Sequence, residues 1–126
     1  MIYFLQGKIT RRIKIGFTTR FIHKRIGALQ IGSPDTLVFL GAHPGDKRTE
    51  YELHNKFRET YSHGEWFNES LELTQYIEQY CIQDMEVAHS VDSLVSDGVA
   101  TYENLLGLDY KEINESYMSD LANKLG

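Results

Sequence analysis

The sequence predicts a small α/β (α+β) domain: a three-stranded antiparallel sheet flanked by helices and followed by an acidic, helical C-terminal extension. The chain has 126 residues, 41% of them hydrophobic and 25% charged, which suits one globular domain with an appendage. Segments rich in β-branched and aromatic residues alternate with segments of helical periodicity. Lysine and arginine outnumber aspartate and glutamate 11 to 6 over residues 1–66, but are outnumbered 12 to 2 over residues 67–126.

Three segments are predicted to be strands. Residues 1–6 (MIYFLQ) are rich in β-branched and aromatic side chains, and residues 12–17 alternate Ile13 and Ile15 with charged neighbours. These two segments form a predicted antiparallel hairpin. A third strand is predicted over residues 36–42 (TLVFLGA), an apolar run that lies between the turn clusters GSPD and PG.

Two helices flank the third strand in the sequence. The first is predicted to run to Gln30, with Thr18 or Thr19 as its N-cap. The second is predicted over residues 47–61, with Asp46 as its N-cap. Each helix therefore begins after a residue whose side-chain oxygen can accept a hydrogen bond from the first turn.

The pattern after the second helix is mainly helical. The segment EWF is predicted to be an extended apolar anchor, and a third helix follows over residues 70–80. Apolar positions favour a further helix between residues 85 and 95 and one or two more between residues 105 and 125. We therefore divide the chain into a domain over residues 1–80 and an acidic extension over residues 81–126.

Composition and charge narrow the function classes. Cys81 is the only cysteine, so an intramolecular disulfide and a cysteine zinc cluster are both excluded. The sequence has no long apolar run and no secretory signal pattern, so we expect a cytoplasmic protein with no membrane segment. The basic front half favours a polyanionic partner, whereas the acidic remainder favours a protein partner or self-association.

Two charged residues lie on predicted apolar helix faces. Arg25 falls within the apolar arc of the first helix, and Glu50 falls within that of the second. One interpretation is structural: the two form an ion pair, or Arg25 extends its head to solvent and Glu50 complements the helix dipole. The other is functional: both line a polar concavity and meet a ligand. Buried ion pairs contribute little net stability, and the pattern leaves both interpretations open.

The order of a few residues adds a family resemblance. Ile2-Tyr3 is followed by Lys14-Ile15-Gly16, then by Arg25 in a helix and by Glu50 in a later helix. This arrangement resembles the GIY-YIG nuclease family, and most closely its compact viral and bacterial branch. In that branch a strand like IKIGFT leads to a helix ending ALQIGSP, and an ELH helix is followed by GEWF. Here the four segments occupy residues 13–18, 28–34, 52–54 and 64–67.

The resemblance covers about residues 1–68 and implies an endonuclease that hydrolyses phosphodiester bonds in DNA. It implies that Glu50 holds one divalent cation, Mg²⁺ or Mn²⁺, together with waters and phosphate oxygens. Arg25 corresponds to the arginine that contacts the scissile phosphate. Tyr3 corresponds to the tyrosine that activates or positions the attacking water.

Lys14 and His54 complete the candidate site. Lys14 stands where most of the family has a second tyrosine, a departure that some restriction-enzyme relatives share. It leaves open whether Tyr3 or Lys14 acts as the general base. His54 lies one helical turn after Glu50, where it contacts substrate or a metal-bound water, or is a packed structural histidine.

The sequence also allows two alternatives and predicts contacts with the DNA backbone. Glu50, His54 and His63 form a possible zinc site, although no HExxH pattern supports it. A second function class is a non-catalytic nucleic-acid-binding or regulatory module that keeps the fold. Basic residues that surround the site in the sequence are predicted to contact the DNA backbone: Arg11, Arg12, Arg20, Lys24, Lys47 and Arg48.

Overall fold

A computed structural model describes residues 1–19 and 21–96, and the helices predicted between residues 105 and 125 lie outside this part of the chain. The described elements are β1 (Ile2–Gly7), β2 (Ile13–Phe17), α1 (Ile22–Ile31), β3 (Leu37–His43), α2 (Lys47–Lys56), a 3₁₀ turn (Arg58–Thr60), β4 (Tyr61–His63), β5 (Trp66–Phe67), α3 (Leu71–Tyr80) and α4 (Met85–Ser96). The mixed α+β class and the helical character of residues 85–95 are confirmed.

The strands form one antiparallel sheet in the order β3-β1-β2-β5-β4. The prediction of three strands is wrong, because β4 and β5 add a short hairpin to β2. Ile13 pairs with Phe67 and Lys14 with Trp66. Gly64 supplies the turn of this hairpin in the left-handed region, with φ of 54°. Of these two strands, β5 pairs with the first two residues of β2, and β4 pairs with β5.

Helices cover both faces of the sheet. Side chains alternate along β1, so Ile2 and Phe4 point to one face and Tyr3 and Leu5 to the other. The first pair packs in an apolar cluster with α2 and α3. The second pair packs in a cluster with α1 and α4. We call the first the α2 face and the second the α1 face. Arg25 and Glu50 therefore belong to helices on opposite faces of the sheet.

Helix α1 begins later than predicted. Its N-cap is Phe21, which makes no side-chain capping bond, so the assignment of Thr18 or Thr19 as the cap is wrong. Thr18 continues the strand instead: its N–H donates to the Met1 carbonyl at 3.0 Å, and the Met1 ammonium donates to the Thr18 carbonyl at 3.0 Å. Pairing with the chain start thus outweighs the local capping signal.

Helix α2 confirms its predicted cap but ends early. Asp46 Oδ1 accepts from the Thr49 N–H at 3.0 Å, and the Thr49 hydroxyl accepts from the Asp46 N–H, which completes a capping box. The predicted continuation to Tyr61 is wrong. The helix ends at Lys56, and Tyr61 lies in β4, where it pairs with Phe67.

The chain after α2 returns to the sheet twice. The predicted third helix is found as α3, and Ser70 caps it, because its hydroxyl accepts from the Leu73 N–H at 3.2 Å. Ile82 then exchanges two backbone hydrogen bonds with Ala42 of β3, and Ala88 of α4 is fully buried on the α1 face. The division of the chain after residue 80 stays a prediction. None of the helices in the described part of the chain is long and apolar enough to span a membrane.

Candidate active site

Tyr3 lies at the centre of the α1 face. It is 1% exposed and is paired with Gly16 of β2 in the strand register. The tyrosine side chain lies directly over this glycine: a Cβ added to Gly16 would come closer than 3.0 Å to two ring carbons of Tyr3, Cζ and Cε2, and to its hydroxyl oxygen, with Cε2 at 2.7 Å. The glycine of the KIG segment therefore makes room for the aromatic ring of the IY segment.

Arg25 reaches Tyr3 from α1. Its side chain is half-buried on the helix face that also carries Ile22, which is 1% exposed. Arg25 Nε donates a hydrogen bond of 3.4 Å to the Tyr3 hydroxyl oxygen. This bond and, more weakly, the negative charge of Glu65 raise the pKa of Arg25 above its ordinary value. The guanidinium is thus held over the sheet in its charged form.

Lys14 shares this face, because it is two residues from Gly16 along β2. Its Nζ lies 2.7 Å from Glu65 Oε2, in an ion pair whose side chains are 12% and 34% exposed. The same ammonium lies 5.7 Å from the centre of the Trp66 ring, within range of a cation–π contact. Glu65 was not among the predicted site residues. The signal that could have identified it is a carboxylate beside the apolar pair WF in the GEWF segment.

Glu50 lies in the first turn of α2 and is 6% exposed, which is unusual for a carboxylate. Its Oε1 lies 3.3 Å from Nζ of Lys47, whose side chain is 76% exposed. The ion pairs of the described residues do not include one between Glu50 and Arg25, so the structural ion pair considered from the sequence is not formed. Position in the first turn also lets the carboxylate interact favourably with the helix dipole.

His54 binds the edge of β2 beyond the end of β5. Its Nε2 lies 2.9 Å from the Ile15 carbonyl oxygen. Because a carbonyl only accepts hydrogen bonds, Nε2 carries the proton in this contact. The ring also packs edge-on against Phe67, with 5.1 Å between the ring centres. These contacts are those of a packed histidine that completes the sheet edge.

The candidate site residues fall into two sets. Tyr3, Lys14 and Arg25 are brought together on the α1 face, whereas Glu50 and His54 lie on α2. Gly45, just before α2, packs against Ile2, and Ile2 pairs with Phe17 at the end of β2. Ile2 also pairs with His43 of β3, so the chain enters α2 beside β1 and β3, and His54 later brings the helix to Ile15 of β2. Glu50 lies one helical turn before His54 in α2.

The zinc alternative is not supported by the geometry. Within residues 1–19 and 21–96, no three histidine, cysteine, aspartate or glutamate side chains converge well enough to hold a metal ion. His63 lies on the β4 hairpin, with its Nδ1 2.9 Å from the hydroxyl of Ser62. Glu50 offers a single buried carboxylate, a donor set that suits Mg²⁺ or Mn²⁺ only when waters and phosphate oxygens supply the other ligands.

Two of the predicted backbone-binding cations are free of acidic partners in the described part of the chain: Arg12 and Lys24 make no ion pair there. Arg11 pairs with Glu69 at 3.2 Å, and Arg48 pairs with Glu52 at 3.3 Å, both at exposed positions. Such exposed pairs are weak and are readily exchanged for a phosphate. Arg20 lies outside the described residues.

The family comparison gives the class of this mixed α+β domain with a basic front half: it is a nuclease-associated domain of DNA-binding type. The chain belongs to the T5orf172 domain family, whose family model matches residues 1–83. This is a phage-associated domain of the endonuclease-related group. Searches of curated proteins and of solved structures each returned no significant match.

Proposed function

We propose that this protein is a metal-dependent endonuclease of GIY-YIG type that hydrolyses phosphodiester bonds in DNA. The observation that carries the proposal is the hydrogen bond from Arg25 to the buried Tyr3 hydroxyl, made over a glycine that leaves room for the ring. A phosphate-binding group and a water-binding group are thereby held next to each other. Membership of an endonuclease-related family supports the same function.

Hydrolysis adds the oxygen of water to phosphorus and breaks one phosphorus–oxygen ester bond. Arg25 uses Nε for Tyr3, so its two terminal nitrogens remain for the oxygens of the scissile phosphate. Tyr3 accepts that hydrogen bond on one lone pair, which leaves its proton and its other lone pair for a water molecule. The pair therefore binds the anionic ester and positions the attacking water beside it.

Lys14 has a different role in this proposal. An ammonium has no lone pair with which to accept a proton, and the ammonium of Lys14 is paired with Glu65 at 2.7 Å. To act as a base, Lys14 would have to lose a proton and leave this partner. We therefore assign the positioning of water to Tyr3 and assign to Lys14 a contact with phosphate. His54 donates its Nε2 proton to the Ile15 carbonyl, which suits a positioning residue that holds α2, and with it Glu50, against β2.

Glu50 would hold the divalent cation, Mg²⁺ or Mn²⁺, which when bound supplies a Lewis acid for the charge that develops on the ester oxygens. The carboxylate is nearly buried yet has an exposed lysine as its ion-pair partner, so that partner can move into solvent when a cation is bound. Burial lowers the local dielectric and strengthens the attraction between this carboxylate and a cation.

The experiment that tests this function is nicking of supercoiled plasmid DNA with Mg²⁺ or Mn²⁺. Glu50→Gln keeps the shape of the side chain and removes its charge, so we expect a loss of roughly 100-fold or more in rate. The matched control is Glu52→Gln, which removes an exposed carboxylate from the same helix and is expected to cleave normally. If Glu50→Gln cleaves as well as the wild type, Glu50 holds no catalytic cation. If the wild type cleaves neither plasmid, single-stranded nor branched DNA, the protein is a non-catalytic nucleic-acid-binding module.

A further inference from the structure

A cleft of about 350 Å³ opens on the α1 face next to Lys14. Four parts of the chain surround it: the loop between β1 and β2, the last turn of α1, the turn before β3 and the β4–β5 hairpin. Lys14 is common to this cleft and to the candidate active site, so the two are continuous. Of the remaining residues of the cleft, Arg12 was predicted above to contact the DNA backbone, and the others have been given no role in the proposed function.

The walls of this cleft combine an apolar surface with positive charge. Trp66, Leu29 and Pro34 supply the apolar part of the lining, while Arg12 and Lys14 supply two cations. Arg12 is exposed and makes no ion pair within the described part of the chain. An aromatic ring beside two cations is the chemistry that binds a nucleobase together with its phosphate.

The carboxylate of Asp35 also lines the cleft, but it does not oppose an anionic ligand strongly. Its oxygens accept hydrogen bonds from the Ile9 N–H at 3.0 and 3.1 Å and from the Thr10 N–H at 3.2 Å. These backbone donors hold the carboxylate against the β1–β2 loop and offset part of its charge. Among the residues that line the cleft, Arg12 is therefore the cation without an ion-pair partner in the described part of the chain, while Lys14 is paired with Glu65.

The volume of the cleft selects the form of DNA that fits. It lies at the small end of the range for ligand pockets, a size that suits a single nucleotide. A base must therefore leave its stack to enter, which costs least where the strand is already single or distorted. We propose that this cleft binds one unpaired nucleotide of the DNA substrate, with its base against Trp66 and its phosphate on Arg12 and Lys14.

This inference rests on the proposed function, because Lys14 would bind the phosphate that adjoins the scissile one. It adds the substrate class: DNA that presents an unpaired nucleotide, such as a single strand, a flap or a distorted duplex. Intact duplex would then be bound mainly through its backbone by the basic front half, more weakly and with a steep dependence on salt.

Trp66 is the only tryptophan of the chain, so its fluorescence reports on the cleft directly. The full-length Glu50→Gln variant is titrated with a single-stranded octanucleotide and with a blunt hairpin duplex, and binding is followed in parallel by anisotropy of the labelled DNA. We expect saturable quenching of Trp66 by the single strand at concentrations at least roughly 10-fold below those needed for the duplex. Binding of the single strand without any change in Trp66 emission would overturn the proposal.

Two variants distinguish base stacking on Trp66 from general electrostatic attraction to DNA. Trp66→Leu is expected to weaken binding of the single strand roughly 5- to 100-fold by anisotropy, the range for loss of one base–aromatic stack. Arg12→Gln is expected to weaken binding more than Arg58→Gln, which removes an exposed cation from the 3₁₀ turn outside the cleft. Equal effects of the two arginine substitutions would contradict the site. That failure is distinct from a failure of the nuclease proposal, because plasmid nicking that depends on Glu50 would still be observed.

Discussion

The contact between Gly16 and Tyr3 allows a sharp test of the candidate site. In Gly16→Ala the new methyl group would overlap the Tyr3 ring at separations below 3.0 Å, where side-chain carbons do not occur. Tyr3 is 1% exposed and lies between two paired strands, so the ring cannot move without disturbing the α1 face. Overpacking of this kind costs about 1–3 kcal/mol in the free energy of unfolding.

The loss of stability corresponds to a lower melting temperature, by roughly 4–8 °C for each kcal/mol in a domain of up to about 100 residues. Thermal unfolding followed by circular dichroism measures it. Displacement of the ring would also break the hydrogen bond to Arg25, so plasmid nicking should fall together with stability.

Gly27→Ala is the matched control for this prediction. Gly27 is exposed on α1, and a Cβ built there meets no atom within 4 Å. Alanine is the better helix former, so this substitution should stabilise the protein by up to about 1 kcal/mol. In the double variant Tyr3→Ala/Gly16→Ala, the effect of the added methyl group should largely disappear, because the ring that it meets is gone. Additive losses, or a Gly16→Ala variant that melts and cleaves like the wild type, would refute the reasoning.

Three further predictions follow from the structure. Arg25→Ala should reduce nicking by roughly 100-fold but lower stability by less than about 1 kcal/mol, because the side chain is half-buried and makes one long hydrogen bond; a collapse of the melting temperature would indicate a structural role. Burial lowers the pKa of His43, whose ring donates a hydrogen bond to the Pro44 carbonyl and accepts one from the Tyr76 hydroxyl. The neutral ring therefore contributes its full stability above a pH of about 6.5, and this contribution is lost as the pH falls below that value. Melting curves of His43→Gln should lack this pH dependence. A chain truncated after Tyr80 loses the buried Cys81, Ile82 and Ala88 and should melt well below a chain truncated after Ser96, whereas equal melting temperatures would place the domain boundary at residue 80.

Local sequence signals predicted the parts of the fold that depend on local interactions. Asp46 is found as the predicted cap, because its side chain satisfies the first turn of its own helix. The signals failed where a distant partner decided the outcome. Thr18 pairs with Met1 rather than capping α1, and Tyr61 leaves the helical pattern to pair with Phe67. Neither partner is visible within a window of one helix.

The same distinction between local and distant interactions applies to the candidate site. Arg25 could be singled out because a charge on an apolar stripe stands out within one helix, and the structure gives it a specific contact, with Tyr3. Glu65 could not be assigned in this way, because its partner Lys14 is 51 residues away in the sequence. The stripe also cannot tell which face of the sheet a helix covers. For that reason the placement of α1 and α2 on opposite faces required the structure.

The edges of the sheet affect how this protein can associate with other chains. At one edge, β4 is only three residues long, and at the other, the end of β3 is already bridged by Ile82. Little unpaired backbone is left at these two places onto which a foreign strand could be added. Strand addition there is disfavoured, so contacts with a second protein at these two places would be made through side chains, which can evolve to discriminate between partners.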